Sequence, residues 1–222
     1  MITTSQAYDR FIIKVNENIT TDKVSCDKGR FVVLFNNSQN RLIEYFLDKK
    51  FEDDIRYIQK IRVDDKVLSS SNKHFDHQEF TLPKDYFDFS NLYVRATKGQ
   101  CEKQKIDCFE IKDDDRNNIL RDTNQSPSFK YRETPFSISS DQIIVYTLDE
   151  FTIDSALLSY YRYPTQIGLI NPENPESGFN LNNPEFDDKF VGRVIDLCAS
   201  EFLLNTDDQK FQVEKANAIN KI

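Results

Sequence analysis

Apolar positions recur at helical spacing near both ends of the chain and alternate with polar ones through its middle. Thr3-Thr4-Ser5-Gln6 reads as a T-x-x-Q capping box ahead of Ala7, Tyr8, Phe11, Ile12 and Val15. That spacing predicts a first helix with one apolar face. Asp27 suits the N-cap of a second helix, in which Phe31, Phe35, Leu42 and Phe46 recur, joined by Leu34 and Tyr45. Ile55, Ile58 and Ile61 predict a third, short one.

From about Val63 the period falls to two. Between Asn91 and Lys98, Leu92, Val94 and Ala96 share one strand face, and Tyr93, Arg95 and Thr97 the other. Lys105 to Ile111 is the expected hairpin partner across a Gly99-Gln100 turn. Phe129 to Thr134 alternates aromatic with charged residues, and Gln142 to Leu148 is a continuous apolar run; each predicts a strand. So does Phe151 to Tyr163, where Ala156, Leu158 and Tyr160 form one face and Leu157, Tyr161 and Tyr163 the other. A strand apolar on both faces is expected to be covered on both.

Residues 165–183 are rich in Asn, Pro, Glu and Gly and read as a long loop of the kind that serves function or a partner. Asn183 as N-cap and Pro184 at the first helical position predict a helix from there. Val191, Ile195, Cys198 and Phe202 make one stripe on it, and Phe190, Val194, Leu197 and Leu204 a second. Together they exceed the face of about 100° that one surface contact needs, so two partners are expected, the chain's own sheet and something else. Thr206-x-x-Gln209 is a further capping box, opening a last helix with Phe211, Val213, Ala216 and Ile219.

These patterns give an α+β chain. A helical segment (1–62) precedes a central antiparallel β domain (63–164), an interaction loop (165–183), and C-terminal helices (184–222) that pack with the N-terminal segment. At 222 residues the chain is long enough to bury a core without a disulfide or metal staple.

Composition narrows the chemistry. The chain holds 5 Gly, none placed to make a Gly-rich phosphate cradle. The formal charge is −8, from 29 Lys+Arg against 37 Asp+Glu, which disfavours a general grip on nucleic acid. Lys98, Lys103 and Lys105 form a small basic group diluted by Glu102 and Asp107, better read as a charged hairpin edge. Cys26, Cys101, Cys108 and Cys198 form no CxxC, so zinc-finger spacing is absent and free thiols in a reducing cytoplasm are expected. Cys101 and Cys108 are read as flanking a turn of their own, across which a hairpin could bring the two thiols together. No stretch approaches a membrane span of about 20 apolar residues.

His74-Phe75-Asp76-His77 with Glu79 has the residue types of a metal cluster, but the spacing supplies two ligands where three or four are needed, and Ser69-Ser70-Ser71-Asn72-Lys73 argues for a solvated loop. Asp113-Asp114-Asp115 departs from the EF-hand pattern and reads as an acidic turn before Asn117 and Asn118. No catalytic, cofactor or metal site is therefore assigned. Tyr160-Tyr161-Arg162-Tyr163-Pro164 is the most distinctive local feature, either a core strand end or an interface, where Tyr and Arg serve as anchors. The candidate interface is Tyr160, Tyr161, Arg162 and Tyr163 together with Phe190, Val194, Leu197 and Leu204.

Four features occur in one order: a helical N-terminal segment; Phe80-Thr81-Leu82-Pro83-Lys84-Asp85-Tyr86; strands ending in Tyr160-Tyr161-Arg162-Tyr163-Pro164; and Pro184-Glu185-Phe186 opening an apolar helix. That order, spanning residues 3–221, resembles the head-to-tail connector, or neck ring, proteins of short-tailed bacteriophages. The Asn-rich, Lys-rich, Gly-poor composition is closest in character to crAss-like phages of gut Bacteroidales. The resemblance implies a non-enzymatic virion protein, made in the host cytoplasm, in a ring of about twelve protomers with one heterologous, closing interface. The portal would lie above it and further neck or tail rings below. DNA would pass through the channel without specific binding, helped by the acidic balance, and no membrane or cofactor would be involved. Two rival readings stand beside this one. The first is a monomeric β-sandwich binding or virion decoration module. The second is a carboxylate-dependent hydrolase, for which no acid pair is singled out.

Overall fold

A computed structural model describes residues 2–17, 24–49, 55–174 and 177–204. The class is α+β, and the chain divides into two compact units. One, the helical unit, joins the residues up to Lys60 with those from Pro164 onward; the other, the β unit, runs from Ile61 to Tyr163. The expected last helix and its Thr206 capping box lie outside the described residues.

In the helical unit, α1 (Thr4–Asn16) has the capping box its sequence announces. The Gln6 N–H donates to Thr3 Oγ1, and the Thr3 N–H donates to Gln6 Oε1. Ala7, Phe11 and Val15 are buried along one face. The next helix, α2 (Lys28–Lys49), starts after Asp27, whose carboxylate accepts from the Arg30 N–H at 2.7 Å. Arg56–Ile61 is a 3-10 turn.

The C-terminal helix begins four residues later than its sequence suggests. Pro184 lies outside the helix, which runs Asp188–Leu204 and is capped by Asp187, whose carboxylate accepts from the Phe190 N–H at 2.8 Å. The reason lies in Asn183, whose side-chain oxygen accepts from the Thr4 N–H at 3.0 Å, while the Thr4 hydroxyl donates to the Asn182 carbonyl at 2.7 Å. Asn183 thus satisfies an orphan donor of α1 instead of capping its own helix. Phe186 is fully buried and lies 4.2 Å from the Phe190 ring.

The two apolar stripes of this helix both find partners inside the unit. Phe202 meets Phe11 of α1 edge to face at 5.6 Å, and Phe190 meets Phe46 of α2 at 5.9 Å. The second partner expected from its width is therefore a helix, and the sheet is not needed to explain either stripe.

The β unit holds eight strands: β1 (Arg62–Val67), β2 (Ser69–Lys73), β3 (His77–Thr81), β4 (Tyr86–Lys98), β5 (Cys101–Glu110), β6 (Glu133–Ser139), β7 (Gln142–Tyr146) and β8 (Thr152–Arg162). Their order in the sheet is β1-β8-β4-β5-β6-β7-β3-β2. The two edges, β1 and β2, are separated in sequence by Leu68 alone, so the sheet must curl until its edges meet. Leu68 is buried, and its N–H donates to Ala156 O at 2.9 Å. Leu92, Val94 and Ala96 of β4, Ile106 of β5, Phe136 of β6, Ile143 and Val145 of β7, and Ala156 and Leu158 of β8 fill the enclosed core.

The sheet is mixed rather than wholly antiparallel. β5 and β6 run parallel, with Asp107 opposite Glu133. Residues 111–132 form the crossover that a parallel pair requires, and they include the helical turn α3 (Arg116–Arg121).

Two further expectations fail locally. Phe129–Arg132 is a turn, with Arg132 at φ 59°, and pairing starts only at Glu133. Ser69–Lys73, read as loop, is strand β2, because β3 supplies a hydrogen-bonding partner that composition does not reveal. Gly99, at φ 58°, turns the β4–β5 hairpin as expected. Cys101 and Cys108 both lie on β5 rather than across the turn, and all four thiols are free.

Candidate functional site

The candidate interface residues fall into two groups. Tyr160, Tyr161, Phe190 and Val194 are buried within the chain, which removes them as contacts for a rigid partner. The Tyr160 hydroxyl donates to Asp85 at 2.9 Å, and burial, then the Asp85 carboxylate, push its pKa up to about 12. The Tyr8 hydroxyl of α1 likewise turns inward, donating to the Cys26 carbonyl at 2.6 Å. Tyr163 is exposed, and Arg162, Leu197 and Leu204 are half-buried. Tyr163 packs edge-on against Phe87 at 4.8 Å. The YYRYP feature thus resolves residue by residue, with the first two tyrosines in the core and the third on the surface.

Other apolar side chains are exposed without having been singled out. Leu181 is 98% exposed and Ile170 is exposed, both in the 165–183 segment. That segment is held both at its base and by its own cross-links, among them the Ile170 N–H donating to Gly178 O at 2.8 Å and the Asn180 N–H donating to Gly168 O at 2.9 Å. The Asn36 carboxamide of α2 donates to Ile167 O at 3.0 Å and accepts from Ile167 N–H at 3.1 Å. Leu169 bridges Phe179, whose ring reaches Tyr8 at 5.6 Å. In the β unit, Phe75 and Tyr131 are exposed in turns.

Around the β2–β3 turn the His and Glu residues converge. Strand period places His77 and Glu79 on the same face of β3, with Gln78 and Phe80 turned to the buried side. His74 is carried back over them by the turn, closed by the His74 N–H donating to His77 O at 2.9 Å. The two imidazoles stack with centroids 4.4 Å apart. Each Nε2 stands 3.6 Å from Glu79 Oε1. Among the described residues, this is the group of three potential ligands that comes together, with ligand atoms within 4.8 Å of one another. The Asp113–Asp115 run forms an exposed 3-10 turn instead.

The neighbours of this group hold it in place. His77 Nδ1 lies 2.7 Å from Asp76 Oδ1, and the Asn72 amide of β2 donates to Glu79 Oε2 at 2.7 Å. The Asn72 hydrogen bond, followed by the two imidazoles, holds the Glu79 carboxyl below its ordinary range against the effect of burial. Burial raises Asp76 and is the largest single influence, but the hydrogen bond from His77, a backbone hydrogen bond and the nearby His77 and Arg116 together outweigh it, and the net shift is downward. The sequence signal for this arrangement was present: H-x-E is a same-face pair on a strand. Reading residues 69–77 as loop concealed it.

Two of the three lysines of the basic group at the β4–β5 hairpin are paired with acids. Lys98 donates to Glu150 at 2.6 Å, and Lys105 pairs with Asp107 at 3.0 Å. Among the described residues no helix is long and apolar enough to cross a membrane. No protein-family model matches the chain, and no curated protein matches it.

Proposed function

We propose that the chain is a structural protomer of a phage neck ring, joining portal to tail and extending the DNA channel. The observation that carries this reading is the distribution of exposed apolar side chains. Among the described residues the helical unit exposes Leu181 and Ile170, along with Ile13 and Val33, and the β unit exposes Phe75, Tyr131 and Tyr163, along with Val67 and Leu148. A closing ring is built from a heterologous interface, which needs two different surfaces on each protomer, and exposed apolar side chains on both units are available to form them. The width of the C-terminal helix lends no support, since α1 and α2 take up both of its stripes. The acidic balance, with Lys98 and Lys105 of the hairpin paired with acids, suits a channel wall that does not capture phosphate.

Electron cryomicroscopy of virions, with the protein labelled through a tag, tests the reading. The label should sit in the neck as a ring, with a mass on the order of 300 kDa against 26.1 kDa for one chain. Virions that carry the protein on the capsid surface, or lack it, would overturn the proposal. Leu181→Asp should reduce ring assembly while leaving the circular-dichroism spectrum of the protomer unchanged.

A further inference from the structure

We propose that His74, His77 and Glu79 bind one divalent transition-metal ion, with zinc as the reference ion. The inference is independent of the neck-ring reading. The ligand atoms are His74 Nε2, His77 Nε2 and Glu79 Oε1.

Geometry comes first. Around a tetrahedral zinc with bonds of about 2.0–2.1 Å, ligand atoms stand roughly 3.3–3.4 Å apart. Both imidazole nitrogens lie 3.6 Å from the carboxylate oxygen and all three ligand atoms lie within 4.8 Å of one another, so the set closes once the stacked rings rotate to aim both Nε2 atoms at one ion.

Hydrogen bonding points the same way. His77 spends its Nδ1 on Asp76, which leaves Nε2 facing Glu79 Oε1. With Nδ1 taken by Asp76, Nε2 is the ring nitrogen left to bind a cation held between His77 and Glu79. On the other ligand, Asn72 occupies Glu79 Oε2 and leaves Oε1 to coordinate through one oxygen. Each of these two ligands thus has a partner that orients it, as protein metal sites commonly do.

The donor set selects the class of ion. Two imidazoles with one carboxylate suit zinc, copper or nickel, whereas calcium and magnesium take oxygen cages. His77 and Glu79 side chains are 18% and 16% exposed, while His74 is 49% exposed. The ion would therefore enter past His74 and keep a position open to water or to a group from a partner. By tying the turn to β3 it would also fix the loop that presents Phe75.

The test uses the full-length chain stripped with a chelator and titrated with zinc chloride by calorimetry. Cobalt(II) absorption reports the coordination geometry. One zinc per chain is expected, with a melting temperature that rises by a few degrees at saturation. His74→Ala and Glu79→Gln should abolish that binding. Asp76→Asn should weaken it by about 10- to 100-fold through loss of ligand orientation. His74 is half exposed, so its alanine variant is expected to fold, and circular dichroism checks this. Absence of zinc binding to the wild-type chain overturns the proposal. So does binding that persists unchanged in the folded His74→Ala variant, which would place the ion elsewhere.

Discussion

The helical unit and the β unit bury their cores by different means. In the helical unit, ring meets ring: Phe11 touches Phe31 and Phe202, Phe46 touches Phe190, and Phe31 also reaches Tyr8, Phe35 and Phe179. A few large side chains from distant parts of the chain carry the packing. In the β unit, the interior of the curled sheet sets Phe80, Phe136, Phe151 and Tyr160 among a larger number of smaller side chains, Val94, Ala96, Ile106, Ile143, Val145, Ala156 and Leu158 included. Backbone pairing fixes their positions. The helical unit should thus be sensitive to loss of a ring, and the β unit to addition of volume.

The largest effect should come from Phe31→Ala, which removes a buried ring with four aromatic neighbours. A destabilisation of about 3–5 kcal/mol is expected for the helical unit. Hydrogen exchange read by mass spectrometry checks this: protection should fall in α1 and α2 and stay high in β4 and β8. Equal loss in both units would erase the distinction, because the two would then unfold as one.

Next in size is Ala96→Leu, which forces extra methylenes into the curled sheet where Ala96 is fully buried. A cost of about 1–3 kcal/mol is expected, measured as a shift in the urea midpoint at constant slope. A neutral outcome would mean that the interior of the sheet has slack and tolerates added volume.

Asn36→Ala should come third. It leaves the N–H and carbonyl of Ile167 without the paired carboxamide, at a cost of about 1–2 kcal/mol. Proteolytic nicking within residues 165–183 should speed up while the β unit stays intact. An unchanged cleavage rate would show that the Leu169–Phe179 bridge holds the segment by itself.

The smallest perturbation is thiol labelling. Cys101 is exposed and should react first with an aromatic disulfide reagent at mildly alkaline pH. Burial, followed by the neighbouring Asp27 carboxylate, pushes the Cys26 thiol up to about 11, and burial pushes Cys198 up to about 12. Burial raises Cys108 as well. These three should label only on unfolding, Cys26 and Cys198 with the helical unit and Cys108 with the β unit. That makes them reporters of whether the units open separately.

Much of the fold was legible along the chain because the signals were local. The Thr3 box and the Asp27 cap name their helices through side chains within three residues of the N–H groups they satisfy. The alternation of Leu92, Val94 and Ala96 announces a strand with one buried face, and the Gly99 turn announces its hairpin. Where competing partners lay far away in sequence, local reading failed. Asn183 has the look of an N-cap, but Thr4, which lies 179 positions away, takes its side chain. Ser69–Lys73 has the composition of a loop, but β3 pairs with it. The candidate interface divided for the same reason. Tyr160 and Phe190 look like anchors by residue type, and only packing decides that they belong to the core.

By itself, then, the sequence determined the α+β class, the starts of the first two helices and the central strands. Those features depend on spacing and residue type, which a linear chain displays in full. Tertiary structure alone decided that one parallel pair interrupts the sheet, that Leu68 brings its two edges together, and that the wide apolar helix is used up between α1 and α2. It also turned two histidines with too few ligands into a set of three. Convergence in space depends on which strand pairs with which, and pairing energy comes from partners that local pattern does not specify.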